Sequence, residues 1–136
     1  MYDTILVPVD LADSDKAPTM IATAKTMAND GARIVLVNIV EDIPTFVAAE
    51  LPGGVMEKTR VEARKALETL AAEHGTGGEI EVRVGQAASG ILAVAKEKQA
   101  DVIVIASHKP GLQDYLIGST AARVVRHAAC SVHVIR

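Results

Sequence analysis

The stretch ASHKPGLQDYLIGST, Ala106 to Thr120, holds an unusual density of groups that can donate or accept hydrogen bonds. Ser107, Ser119 and Thr120 carry hydroxyls that both donate and accept. His108 and Lys109 add basic nitrogens, and Gly118 lets a ligand approach the backbone closely. An apolar run, DVIVIA, precedes the stretch and an amphipathic one follows it. It therefore reads as a strand end, a loop and a helix start. The first N–H groups of a helix lack intrahelical partners and sit at the positive end of its dipole, so Gly118-Ser119-Thr120 has the chemistry of an anion site. The same residues also read as a turn and a cap, and the position of Asp10 favours the ligand. A carboxylate at a strand end accepts hydrogen bonds from a ribose or a base, or caps a helix. His108 has no acid–base partner in the pattern and reads as a contact. Lys109 reads as solvated, or as a cation steering an anion.

These groups are useful only if the fold brings them together. Five β-rich runs recur: TILVPV, RIVLVNIV, EIEVRV, DVIVIA and SVHVIR. Between them apolar residues return at helical spacing. Met20, Ile21, Ala24, Met27 and Ala28 form the first face, and Ala63, Ala66, Leu67, Leu70 and Ala71 the second. Ile91, Leu92, Val94 and Ala95 form the third, and Ile117, Ala121, Val124, Val125 and Ala128 the fourth. Alternating strand and helix predicts βαβ units in a Rossmann-like, doubly wound α/β fold: a five-stranded parallel sheet of order 3-2-1-4-5 with helices on both faces. Residues 1–136 are expected to form a single domain. Ser14 or Asp13 is expected to cap the first helix, Asn29-Asp30-Gly31 to end it, and Ser119 or Thr120 to cap the fourth. Gly75 to Gly78 is expected to be a flexible connection, and Glu41 to Val55 a long loop with at most a short helical turn.

In that order the sheet reverses between strands one and four, and ligands bind outside the carboxyl ends of the strands at such a point. Pro8-Val9-Asp10 ends the first strand and Ala106-Ser107-His108 the fourth, and the second ends nearby at Asn38-Ile39-Val40-Glu41-Asp42. With phosphates at Gly118, a ribose or base falls toward Asp10 and the apolar Ile39.

Composition narrows the partners. Net charge is −3 and aromatics make up 2% of the chain, so it lacks both a basic face for a phosphate backbone and rings for stacking bases. Nucleic acid is not an expected partner. No apolar run reaches the roughly 20 residues that span a bilayer, and MYDTILVPVD lacks a signal-peptide pattern. The expectation is a soluble cytoplasmic protein without membrane insertion. Cys130 stands alone, without metal-ligand spacing, and reads as a small buried side chain. His74, His127 and His133 read as surface or packing residues, and no His, Cys, Asp and Glu set has metal-site spacing.

MYDTILVPVDLADSD at the start and DVIVIASHKPGLQDYLIGSTAARVVRHAACSVHVIR at the end resemble the universal stress protein family, and the resemblance covers the whole chain. It implies a Rossmann-like sheet and a homodimer through the last strand. One branch of the family binds ATP through a Gly-x2-Gly-x9-Gly-Ser/Thr pattern. Here Ala106 and Lys109 stand in place of the first two glycines, eight residues rather than nine precede the third, and Gly118-Ser119 is intact. The ASHKP form followed by YLIGS is similar to a sub-branch that binds ATP. By resemblance Pro8, Val9, Asp10 and Ile39 match the adenosine side. Ala106, Ser107, His108, Gly118, Ser119 and Thr120 match the phosphate and ribose side, with Lys109 adding a charge complementary to phosphate. The implied cofactor is ATP or a related adenine nucleotide, with or without Mg2+.

The expected function is nucleotide binding in stress response or regulation, with little or no intrinsic catalysis and slow hydrolysis at most. The sequence holds no Walker P-loop, no carboxylate pair placed for magnesium, and no nucleophile beside a base. The alternative is a dimeric adaptor of the same fold without nucleotide. A phosphoacceptor domain would need an acid at the end of a middle strand, where the third strand reads VRVGQ. A nucleotidyl transferase would need a His-x-x-His near the first strand.

Overall fold

The computed structural model describes residues 1–41, 45–50, 53–107 and 117–136. Its elements run β1 (Tyr2–Pro8), α1 (Ala17–Met27), β2 (Ala28–Glu41), α2 (Thr45–Ala48), α3 (Val55–His74), β3 (Ile80–Gly85), α4 (Ala87–Lys98), β4 (Val102–Ala106), α5 (Ser119–His127) and β5 (Ser131–Ile135). The five strands form one parallel sheet in the order β3-β2-β1-β4-β5, as the strand and helix alternation predicts.

Successive side chains on a strand point to opposite faces, so a continuous apolar run feeds two cores. Ile5 and Val7 of β1, Leu36 of β2 and Val104 of β4 pack with Met20 and Ile21 of α1 and Leu67 of α3. Leu6, Val35, Val37 and Ile103, one residue out of phase, pack with Ile91 and Val94 of α4 and with Ala121 and Val124 of α5. Helices thus cover both faces. The apolar helical faces expected from spacing turn inward except at Val125, which stays 46% exposed, and Ala28, Ile117 and Ala128 fall outside the helices.

Several boundaries differ from expectation. Neither Ser14 nor Asp13 caps α1. The chain first makes a turn in which the Ala12 N–H donates to Asp10 Oδ1 at 3.0 Å and the Asp13 N–H to the Asp10 carbonyl at 3.1 Å. The cap position falls on Lys16, and a proline occupies the first turn, where its missing N–H costs nothing. The helix ends at Met27, before Asn29-Asp30-Gly31. Those residues lie in the irregular start of β2, where the register to β1 jumps from Tyr2↔Ala28 to Thr4↔Arg33. Gly118 rather than Ser119 or Thr120 holds the cap of α5, with no side-chain cap bond. The segment expected as a loop from Glu41 to Val55 does contain a short helical turn, α2, but Glu41 belongs to β2 and Val55 begins α3. Gly75 closes α3 in the left-handed conformation, φ 63°, which a residue without a Cβ adopts freely.

The two outer strands are finished differently. Around β3 runs a chain of ion pairs: Arg33 with Glu79, Lys98 with Glu79 at 3.7 Å and Glu81 at 3.0 Å, and Arg83 with Glu81 at 3.2 Å and Glu97 at 2.6 Å. β5 carries His133 and otherwise Ser131, Val132, Val134 and Ile135.

Candidate functional site

The carboxyl ends of β1, β2 and β4 open onto a cleft of about 420 Å3. β1 and its extension supply Pro8, Val9 and Asp10, β2 supplies Ile39, β4 and the residue after it supply Ala106 and Ser107, and α5 supplies Thr120. Each was expected at a ligand site from the sequence. Gly118 is buried and Ser119 exposed, and neither lines the cleft. His108 and Lys109 lie outside the described residues.

Crossed hydrogen bonds hold the cleft's floor. The Val9 N–H donates to the Val37 carbonyl at 2.8 Å, and Asn38 Nδ2 donates to the Val9 carbonyl at 2.9 Å. The tail of β1 is thereby tied to β2 past the last ladder pair, and Asp10 leaves from a fixed point.

Ser107, 6% exposed, joins three elements. Its N–H donates to the Ile135 carbonyl at 2.7 Å, beside the end of β5. Its hydroxyl accepts the Gly118 N–H at 3.2 Å, fixing the start of α5. Its carbonyl accepts Lys16 Nζ at 3.2 Å, and the same ammonium donates to the Arg136 carbonyl at 2.9 Å. The Ala122 N–H returns to the Gly118 carbonyl at 2.9 Å, so the intrahelical bonds of α5 begin there. The N–H groups of its first turn have no intrahelical acceptor, and Thr120 in that turn borders the cleft.

Several further residues line the cleft; of these the sequence put Asn38 and Glu41 at the nearby strand end without naming them as contacts, and it missed the others. Lys16 and Asn38 owe their places to bonds with residues distant in sequence, for which spacing carries no signal. Asp13, Asp15 and Glu41 add carboxylates at the rim, and Ala87 and Ile91 extend the apolar wall from α4. The lining thus includes four carboxylates, of Asp10, Asp13, Asp15 and Glu41, that can accept from hydroxyl and amino donors, and the ammonium of Lys16. The start of α5 presents N–H donors and a hydroxyl. No group of three or more His, Cys, Asp or Glu that could hold a metal occurs among the described residues, and no described helix is long and apolar enough to cross a membrane.

The model of the Universal stress protein family matches residues 1–136. Universal stress protein G of Escherichia coli O157:H7 is 29% identical in a 142-residue alignment covering the whole of both chains. Universal stress protein A homolog 2 of Coxiella burnetii is 31% identical over 140 residues, 99% of this chain and 95% of that protein. Among solved structures, the universal stress protein UspA from Lactobacillus plantarum is 26% identical, with coverage of 99% and 98% and a TM-score of 0.79. Two others share the fold at 21% identity. One is a universal stress protein in complex with cAMP, with coverage of 99% and 97% and a TM-score of 0.69. The other is the universal stress protein from Archaeoglobus fulgidus in complex with dAMP, with coverage of 99% and 98% and a TM-score of 0.66.

Proposed function

The chain belongs to the universal stress protein family, and we propose that its cleft binds ATP or a related adenine nucleotide for a role in stress response or regulation. The observation that carries this reading is the convergence of three strand ends and the start of α5 on one cleft of about 420 Å3. That volume suits a small ligand, and the place is the switch point of the sheet. Two proteins of the same fold were solved with cAMP and dAMP, which supports an adenine nucleotide as the class.

The start of α5 and the Asp10 carboxylate suggest an orientation. Phosphates belong at the first turn of α5, near Thr120, where N–H donors and the helix dipole favour negative charge. Sugar hydroxyls belong at Asp10, as their acceptor. The base then lies against the apolar side of Pro8, Val9 and Ile39. Ala106 and Ser107 also line the cleft. Gly118 and Ser119 contribute through the helix start, and His108 and Lys109 extend the phosphate side in this proposal.

In this reading the protein acts as a binder, with little or no intrinsic catalysis. It works as a cytoplasmic homodimer joined through β5, the outer strand of the sheet. Calorimetric titration with ATP tests the reading: wild type binds, and Asp10→Ala binds more weakly. Absence of binding at millimolar ATP overturns it in favour of the dimeric adaptor. A steady-state turnover near roughly 1 per second overturns the non-catalytic part.

A further inference from the structure

Gly90 lies inside α4, where glycine costs stability relative to alanine. It is not among the glycines with positive φ, so backbone conformation does not explain it. Space does. A Cβ on residue 90 would meet Ile39 at 2.7 Å from Cδ1 and 3.0 Å from both Cγ1 and Cγ2. Carbon atoms in contact normally stay about 3.5–4.0 Å apart. Ile39 therefore occupies a notch in α4 that exists only because residue 90 has no side chain.

We propose that Gly90 is a positioning residue that sets the width of the cleft at the base: it holds Ile39 back against α4 without touching the ligand. The inference rests on the nucleotide reading above. Ile39 lines the cleft and Gly90 does not. The β2 backbone at Ile39 is fixed by the ladder to β3, which runs from Leu36↔Ile80 to Glu41↔Gly85, so it cannot withdraw. On the α4 side Ile39 already packs against the core that holds Ile91 and Val94. An Ile side chain is stiff at χ1, so three simultaneous close contacts cannot be relieved by moving Cδ1 alone. The whole side chain must turn, and the open volume beside it is the cleft. A methyl group at position 90 thus becomes a narrowing where the base lies.

The test is titration of ATP and CTP into wild type, Gly90→Ala, and the pairs Ile39→Val with and without Gly90→Ala and Ile39→Ala with and without Gly90→Ala. Gly90→Ala is expected to weaken ATP roughly 10-fold or more, the scale of one misfitting methylene in an apolar pocket. CTP, with a one-ring base, is expected to lose less, so the preference for purine narrows. General loosening of the structure would weaken both nucleotides alike. The cost of Gly90→Ala is expected to shrink with Val at position 39, which removes the atom at 2.7 Å, and to vanish with Ala there. If Gly90→Ala alone does not fold, the Val and Ala pairs carry the comparison: graded costs support the proposal and equal costs overturn it. ATP binding to Gly90→Ala at wild-type strength overturns the notch and leaves the nucleotide reading standing. A wild type that binds neither nucleotide overturns both.

Discussion

Replacing Ser107 with alanine removes one bond and little else. The Ser107 N–H still reaches the Ile135 carbonyl, and the Ser107 carbonyl still accepts Lys16 Nζ, because both contacts belong to the backbone. Only the hydroxyl that accepts the Gly118 N–H is lost. Gly118 is buried, so its N–H cannot turn to bulk water. A buried donor left without an acceptor costs about 1–3 kcal/mol. The bond measures 3.2 Å, at the long limit for an N–H···O contact, which places the cost near the lower end, about 1 kcal/mol. For a chain of this size that lowers Tm by roughly 3–5 °C. The assay is a reversible thermal melt of the ligand-free protein followed by circular dichroism, with wild type in the same buffer. A variant that melts within about 1 °C of wild type would refute the assignment of Ser107 as the anchor of α5. Because α5 begins at that anchor, the same variant is expected to bind ATP more weakly.

Three further outcomes are expected. Ile135 turns its polar groups to β4, so its neighbour Val134 turns its own N–H outward; Val134→Pro should therefore convert the dimer to a folded monomer in sedimentation equilibrium, and a wild-type monomer at high micromolar concentration, or a dimeric variant, would contradict this. The Arg33 hydrogen bond holds the Glu79 carboxyl below the usual carboxylate range; its stabilisation is present above the ordinary Glu value of about 4.3 and fades as pH falls through the depressed folded value, so the Tm advantage of wild type over Glu79→Gln at neutral pH should shrink in acid, and a gap independent of pH would count against the pair. Burial, with a smaller contribution from Asp101, pushes the Cys130 thiol up; iodoacetamide should therefore label native protein at neutral pH more slowly than unfolded protein, and equal rates would show an open thiolate.

The sheet was legible because its information is local and redundant. VIVIA can satisfy two cores only as a strand covered on both faces, and Met20, Ile21 and Ala24 can share a face only as a helix. Once five such strands alternate with helices, handedness and the position of the first strand give the order, and with it the meeting of Asp10 and Ser107 at one edge. The boundaries were less legible because competing local bonds decide them. Asp10 spends a carboxylate oxygen on the Ala12 N–H, which delays α1 past the residues that look like caps. Ser119 looks like a cap, but Gly118 holds that position, with its N–H on the hydroxyl of Ser107, the residue after β4. Val125 follows the apolar spacing and still faces outward, because α5 buries a narrow stripe, Ala121 and Val124. Lys16 had no local signal at all, and Asn38 had only its place at a strand end. A lysine before a helix and an asparagine in a strand are ordinary, and their significance appears only when Ser107 and Val9 arrive beside them. Gly90 belongs to the same class, since only the position of Ile39 gives it meaning.

The unequal finish of the two outer strands limits how large an assembly can grow. A sheet with two open margins is a template at both ends: each added copy leaves a fresh margin, and growth has no natural stop. Here one margin is occupied. Glu81 and Arg83 of β3 are committed to Lys98 and Glu97 of α4, and an incoming strand would have to lie beside these paired charges. Among the described residues no ion pair guards the margin at β5. Two copies that meet there by a two-fold axis use up each other's available edge and turn only guarded strands outward. In this respect β3 acts as a terminator. On the proposed pairing through β5, association counts to two, and a chain rich in valine and isoleucine strands does not extend into a fibre.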